Sequence, residues 1–295
     1  MNTASNLFTG MGVAMVTPFH ADSTIDFPAL EKLVDFLVKN GTDYLVALGS
    51  TGETPTLSKK DKQAVLETII SANAGRIPVM LGLGSYSTQE LVEEVACTNF
   101  KGVDGILSVS PYYNKPTQKG IYEHFKALAQ VSPVPIVLYN IPGRTGTNMS
   151  TETTLTLAHD FKNIVGIKEA SGNLLQCCEI IKDCPSGFSI ISGDDGLVLP
   201  LIACGGHGVI SVIGNAYPAQ LAALTHAAME GNYTKAQSLN NQLLPLYSLL
   251  FAEGNPSGIK ALMSELNLCG NNLRLPLVPV SDCLFSKLSE FSKKI

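Results

Sequence analysis

Seven cysteines are present, yet no two of them form a CxxC pair. Cys97, Cys177, Cys178, Cys184, Cys204, Cys269 and Cys283 match no metal-ligand spacing, and their odd number suggests reduced thiols rather than a disulfide framework. The five histidines give no i, i+4 pair and no H-E-x-x-H, so a metal site is not expected. Charged residues make up only 15% of the chain, with a net charge of −5, and no block of one sign exceeds a few residues. That pattern lacks the clustered positive footprint of a nucleic-acid surface. No apolar run approaches ~20 residues, which excludes an obvious membrane span. The first residues also lack the basic and apolar regions of a secretory signal. A cytoplasmic protein with no nucleic-acid or membrane partner is the expectation. Neither a G-x-G-x-x-G after the first strand nor a G-x-S-x-G elbow occurs.

What is present is a rhythm. The chain has 295 residues, 45% of them hydrophobic, enough to bury a large core without staples. Short β-branched runs recur at 12–18, 44–50, 78–84, 105–111, 135–140, 164–170, 189–193 and 208–212. Amphipathic segments with start and stop signals alternate with them. The first opens on Asp26 with Leu30, Leu33, Val34 and Leu37 on one face. Ser58-x-x-Asp61 and Ser87-x-x-Glu90 read as capping boxes. Continuous apolar strands need cover on both faces. Eight such units predict an α/β fold, a (β/α)8 TIM barrel over 1–225, for which about 250 residues is typical. Residues 226–295 read as a C-terminal helical extension.

In such a barrel, reactive groups belong at the C-terminal ends of the strands. The polar residues gather at those ends: GSTGE (49–53), SPYYN (110–114), YNIPGRT (139–145), KEASG (168–172) and SGDDG (192–196). Lys168 stands in the otherwise apolar run IVGIKEA. It can snorkel, form an ion pair, or serve as a desolvated neutral amine suited to imine formation. Glu169 should not share its pocket, because adjacent strand residues face opposite sides. Tyr139 ends the neighbouring strand and could pass protons to Lys168, or simply cap the core. Ser50, Thr51 and the flanking glycines could form a cup for a small carboxylate. Arg144 suits a bidentate hold on a second carboxylate, although an ordinary surface arginine fits the same turn. Asp194 and Asp195 read as N-cap and first-turn charges of a helix, and the GGHG at 205–208 as a turn.

GSTGE, YNIPGRT and GIKEASG, in that order on successive strand ends, resemble the dihydrodipicolinate synthase family of pyruvate-dependent class I aldolases over essentially the whole chain. The resemblance implies condensation of pyruvate with L-aspartate 4-semialdehyde. Lys168 would form the Schiff base, with no metal or organic cofactor. Tyr139, Ser50 and Tyr113 would relay protons, Tyr113 reaching into a neighbouring subunit. Thr51, Gly193 and Ile210 would bound the pyruvate site, and Arg144 would receive the carboxylate of the aldehyde. The family implies a homotetramer built as a dimer of dimers.

Two features depart from the family pattern. Ser50 stands where threonine is common, as it also does in the sialic-acid lyase branch. N-acetylneuraminate lyase or 2-keto-3-deoxy-sugar-acid aldolase activity is therefore the rival reading, and Arg144 argues against it. A pyruvate-binding sensor without catalysis is the alternative of another class. Glu90 and Tyr112 match a lysine-binding cleft of feedback-inhibited members. Lys59 and Lys62 stand where those members tend to carry histidine, and Tyr86 replaces a small amide. The added positive charge predicts weak or absent inhibition by lysine.

Overall fold

The computed structural model describes residues 7–294. Eight strands, β1 (Gly10–Ala14), β2 (Tyr44–Ala47), β3 (Val79–Gly82), β4 (Gly105–Val109), β5 (Ile136–Asn140), β6 (Ile164–Glu169), β7 (Ser189–Ser192) and β8 (Gly208–Ser211), pair in chain order. All pairings are parallel, and β8 closes on β1, so the expected barrel is observed. Between the strands run α1 (Phe27–Lys39), α2 (Lys59–Asn73), α3 (Thr88–Cys97), α4 (Gln118–Val131), the one-turn α5 (Pro142–Thr145), α6 (Thr151–Asp160), α7 (Leu174–Asp183) and α8 (Val198–Ala203).

The caps set these helices where the sequence places them. Asp26 accepts from Ala29 N at the start of α1, and that helix buries Leu30, Leu33, Val34 and Leu37; an N-cap of this kind contributes about 1 kcal/mol. Ser58 and Asp61 form the full capping box on α2. At α3 only half of the expected box forms. Ser87 accepts from Glu90 N, whereas the Glu90 carboxylate turns back to Ser85 Oγ, 3.0 Å away. After β8, α9 (Pro218–Met229) packs on β1, and residue 225 lies inside it. Three further helices follow: α10 (Tyr233–Leu249), α11 (Ser257–Glu265) and α12 (Asp282–Ser292).

Two apolar layers result. Outward-facing strand residues such as Val13, Leu81, Ile106 and Ile190 join the helices in one core. The lumen holds Tyr44, Val46, Met80, Leu107, Val137, Tyr139, Ile191 and Ile210, with Phe8 among them. The β5–β6 register slips between Ile136 and Val137, which leaves an extra residue at Val165. Such a bulge resets which side chains face which side. Ile164 and Ile167, three apart, would face opposite sides of a regular strand, yet both join the outer core. Lys168 then turns into the lumen.

Candidate active site

Lys168 pairs in register with Tyr139 of β5 and Ile191 of β7, both lumenal residues, so the three point the same way. Its residue exposure is 6%, and its Nζ lies 4.3 Å from the centre of the Tyr139 ring. Burial is the main influence on the amine and lowers its pKa to about 7. The charge of Asp195 opposes that fall, and the Arg144 guanidinium adds to it. A neutral amine is thus available near neutral pH, which a snorkelling or ion-paired lysine would not offer.

Glu169 takes the other face, as the alternation predicts. There it accepts from Asn140 Nδ2 (3.2 and 3.0 Å), Ser171 N (2.7 Å) and Gln176 Nε2 (3.1 Å). These donors occupy the carboxylate away from the lumen.

Tyr139 is buried, and burial pushes its phenol up to about 12; Arg144 and an interaction with the Ser50 hydroxyl pull it back. Ser50 and Thr51 lie on a 3-10 turn, Ser50–Gly52, directly after β2. The turn closes with Gly52 N to Gly49 O and Glu53 N to Ser50 O. Thr51 is buried, and its hydroxyl accepts from Asn255 Nδ2 at 3.0 Å. Arg144, in α5, is exposed and donates from Nη2 to Asn255 O at 3.2 Å. Gly193 follows β7 against the lysine stem. A Cβ there would lie 3.1 Å from Lys168 Cε and 2.6 Å from Ala170 Cβ, so no other residue fits without displacement. Ile210 is buried in the lumen beside this group.

Tyr113 stands apart. Its side chain is 89% exposed, and its backbone is left-handed at φ 73°. Among the described residues its side chain makes no hydrogen bond. Of the residues tied to the lysine cleft, Tyr86 and Tyr112 meet edge to face at 5.6 Å. Burial raises the Tyr112 pKa, helped by Tyr86, Glu90 and Glu94. Lys62 Nζ lies 3.5 Å from Glu94, and Lys59 is exposed in the first turn of α2.

Asp195 carries more than the first-turn charge read from the sequence. Asp194 does cap its turn, accepting from Gly196 N. Asp195 is fully enclosed, and its Oδ2 accepts from Val212 N (3.0 Å) and Ile213 N (2.9 Å), bracing the end of β8. Burial raises its pKa. Asn255 was likewise invisible in the sequence, because its partners Thr51 and Arg144 lie 204 and 111 residues away along the chain. Among the described residues no three His, Cys, Asp or Glu side chains are grouped to hold a metal ion, and no helix is long and apolar enough to cross a membrane.

The dihydrodipicolinate synthetase family model matches residues 7–294. The chain is 51% identical over 279 residues to a 4-hydroxy-tetrahydrodipicolinate synthase of Phocaeicola vulgatus, covering 95% of this chain and 94% of that one. It is 49% identical to the Parabacteroides distasonis enzyme of the same name, covering 97% and 96%. Among solved structures, the chloride-inhibited dihydrodipicolinate synthase of Acinetobacter baumannii, complexed with pyruvate, is 38% identical with a TM-score of 0.94. That match covers 97% of this chain and 98% of the other.

Proposed function

The chain belongs to the dihydrodipicolinate synthetase family, and on that premise we propose that it condenses pyruvate with L-aspartate 4-semialdehyde through an imine on Lys168, giving 4-hydroxy-tetrahydrodipicolinate for diaminopimelate and lysine synthesis. The observation that carries the chemistry is the buried Lys168 amine, with a pKa lowered to about 7, against the Tyr139 ring.

The Lys168 lone pair attacks C2 of pyruvate, and the carbinolamine loses water to give a protonated imine. That cation draws electrons from the neighbouring methyl group, which gives up a proton and leaves an enamine. The enamine carbon attacks the aldehyde carbon of the second substrate, whose oxygen takes a proton. The amine of that substrate then attacks C2, closing the ring and expelling the Lys168 amine. Tyr139 and Ser50 carry the protons, each step of this kind contributing about 10² or more. Thr51 and Gly193 bound the pyruvate carboxylate, Ile210 lines the wall, and Arg144 receives the carboxylate of the aldehyde.

Tyr113 completes the relay from a neighbouring subunit of a homotetramer. The support for this is its exposed ring on a strained left-handed backbone, a cost that persists where function rewards it. The reading requires no metal or organic cofactor and puts the enzyme in the cytoplasm. The barrel, read as 1–225, carries the chemistry, and 226–295 is read as the helical extension.

A turnover assay with pyruvate and aspartate semialdehyde tests the proposal. N-acetylneuraminate and 2-keto-3-deoxygluconate serve as competing substrates. Turnover confined to either sugar acid would replace this reading with that of another aldolase.

A further inference from the structure

The hydroxyl turn that carries Ser50 and Thr51 ends on a carboxylate that the reaction does not use. Glu53 links two 3-10 turns, Ser50–Gly52 and Thr54–Thr56, and does so in the left-handed conformation at φ 55°. A non-glycine residue holds that conformation only where its surroundings enforce it. The enforcement comes from the C-terminal extension. Glu53 Oε1 accepts from Lys260 Nζ at 2.5 Å, and Oε2 accepts from Arg274 N at 2.9 Å.

Lys260 is fully enclosed on α11. Its ammonium also donates to Asn272 O at 2.9 Å and sits 4.2 Å from the centre of the Phe19 ring. Arg274 extends the hold, its guanidinium reaching Ser23 O, Thr56 O and Asp61 Oδ2 at 3.0, 3.0 and 2.9 Å. A wholly buried ion pair is a poor way to gain stability, since well-packed apolar residues commonly do as well. What it offers instead is registry, because two charges in a dry pocket tolerate one geometry.

We infer that Lys260 is a positioning residue: by pinning Glu53 it holds the Ser50–Thr51 turn against Tyr139 and so sets the rate of proton transfer, without touching substrate. Thr51 lies on the same turn, so pyruvate binding also feels the strut, but the imine itself forms on Lys168, which the strut does not hold. The inference rests on the proposed relay of Ser50 and Tyr139.

The test uses the full chain with Lys260→Met and with the double variant Lys260→Met/Glu53→Gln. The double variant removes both charges and so avoids stranding one in the core. Three readouts separate the steps: borohydride trapping of pyruvate, deuterium exchange into the pyruvate methyl group followed by NMR, and kcat for condensation. The expected result is a folded double variant that is still trapped on Lys168 at saturating pyruvate, with methyl exchange and kcat at saturating pyruvate both lowered roughly 10- to 100-fold. His226→Gln, which breaks the 2.7 Å contact to Asp43 next to the start of β2, is the control for stability alone. It should lower Tm and leave the exchange rate unchanged. A folded double variant with wild-type exchange would overturn the assignment of Lys260. An unaltered protein that neither traps pyruvate nor exchanges its methyl protons would instead remove the relay itself, and this inference with it.

Discussion

Lys168 and Tyr139 stand at the same level on adjacent strands, with the amine nitrogen 4.3 Å from the centre of the phenol ring. The aromatic face supplies an apolar wall that withholds water from the nitrogen. The hydroxyl at the ring's far edge interacts with Ser50 at the open rim. One side chain thus walls the amine from water and links it to the Ser50 hydroxyl.

That dryness costs stability, with a defined sign. In the unfolded chain the amine keeps its proton up to about 10.5, while in the folded chain it loses it near 7. Between those values the unfolded state holds the extra proton, so stability rises with pH across that window. Below pH 7 the full cost applies, on the order of a few kcal/mol. Lys168→Met should abolish activity and raise Tm at pH 6–7, with the gain shrinking toward pH 10. Thermal melts across that range measure it; an equal gain at every pH would contradict the desolvated amine.

Tyr139→Phe keeps the wall and removes the proton. It should still trap pyruvate under borohydride, while kcat falls by about 10² or more. Ser50→Ala should resemble it, and the double variant should lose less than the product of the two, because groups acting in one relay are not additive. Steady-state kinetics on the three variants checks this.

Under the proposed function, Arg144 acts at two distances. Arg144→Ala should raise the KM for aspartate semialdehyde while leaving pyruvate trapping intact. Its charge also disfavours the protonated form of Lys168. The acid limb of the pH profile for kcat/KM of pyruvate should therefore move to higher pH in the variant. A profile that stays in place would show that Arg144 lies too far out to influence the amine.

Much of this was legible in the strand endings. The barrel follows from eight apolar runs with capped helices between them, and Lys168 stands out because a charge interrupts one such run. The bulge at Val165 was not legible, since a register slip depends on the partner strand rather than on local composition. Glu53 and Lys260 are 207 residues apart and look like ordinary surface charges in the sequence. Asp195 was read for its helix position, while its role in bracing β8 needed the fold. The half-formed box at α3 reflects competition, with Ser85 offering Glu90 a better partner than the cap.

Lysine feedback should be weak. A cationic effector bound where the resemblance implies, near Tyr86, Tyr112 and Glu90, would meet Lys59 and Lys62; Lys62 pairs with Glu94, and Lys59 makes no ion pair among the described residues. Inhibition curves should show little effect at submillimolar lysine, and Lys59→Ala/Lys62→Ala should lower the inhibitory concentration. Strong inhibition of the unaltered enzyme in that range would show that the two lysines do not oppose the ligand.

The account depends most on a covalent bond between Lys168 and the keto carbon of pyruvate. Borohydride reduction with pyruvate present, followed by digestion and mass spectrometry, tests that bond directly. A reduced pyruvyl adduct on the peptide that contains Lys168, absent without pyruvate and faster to form as the pH rises through 7, is the predicted result. An unmodified Lys168, or an adduct on another lysine, would contradict it.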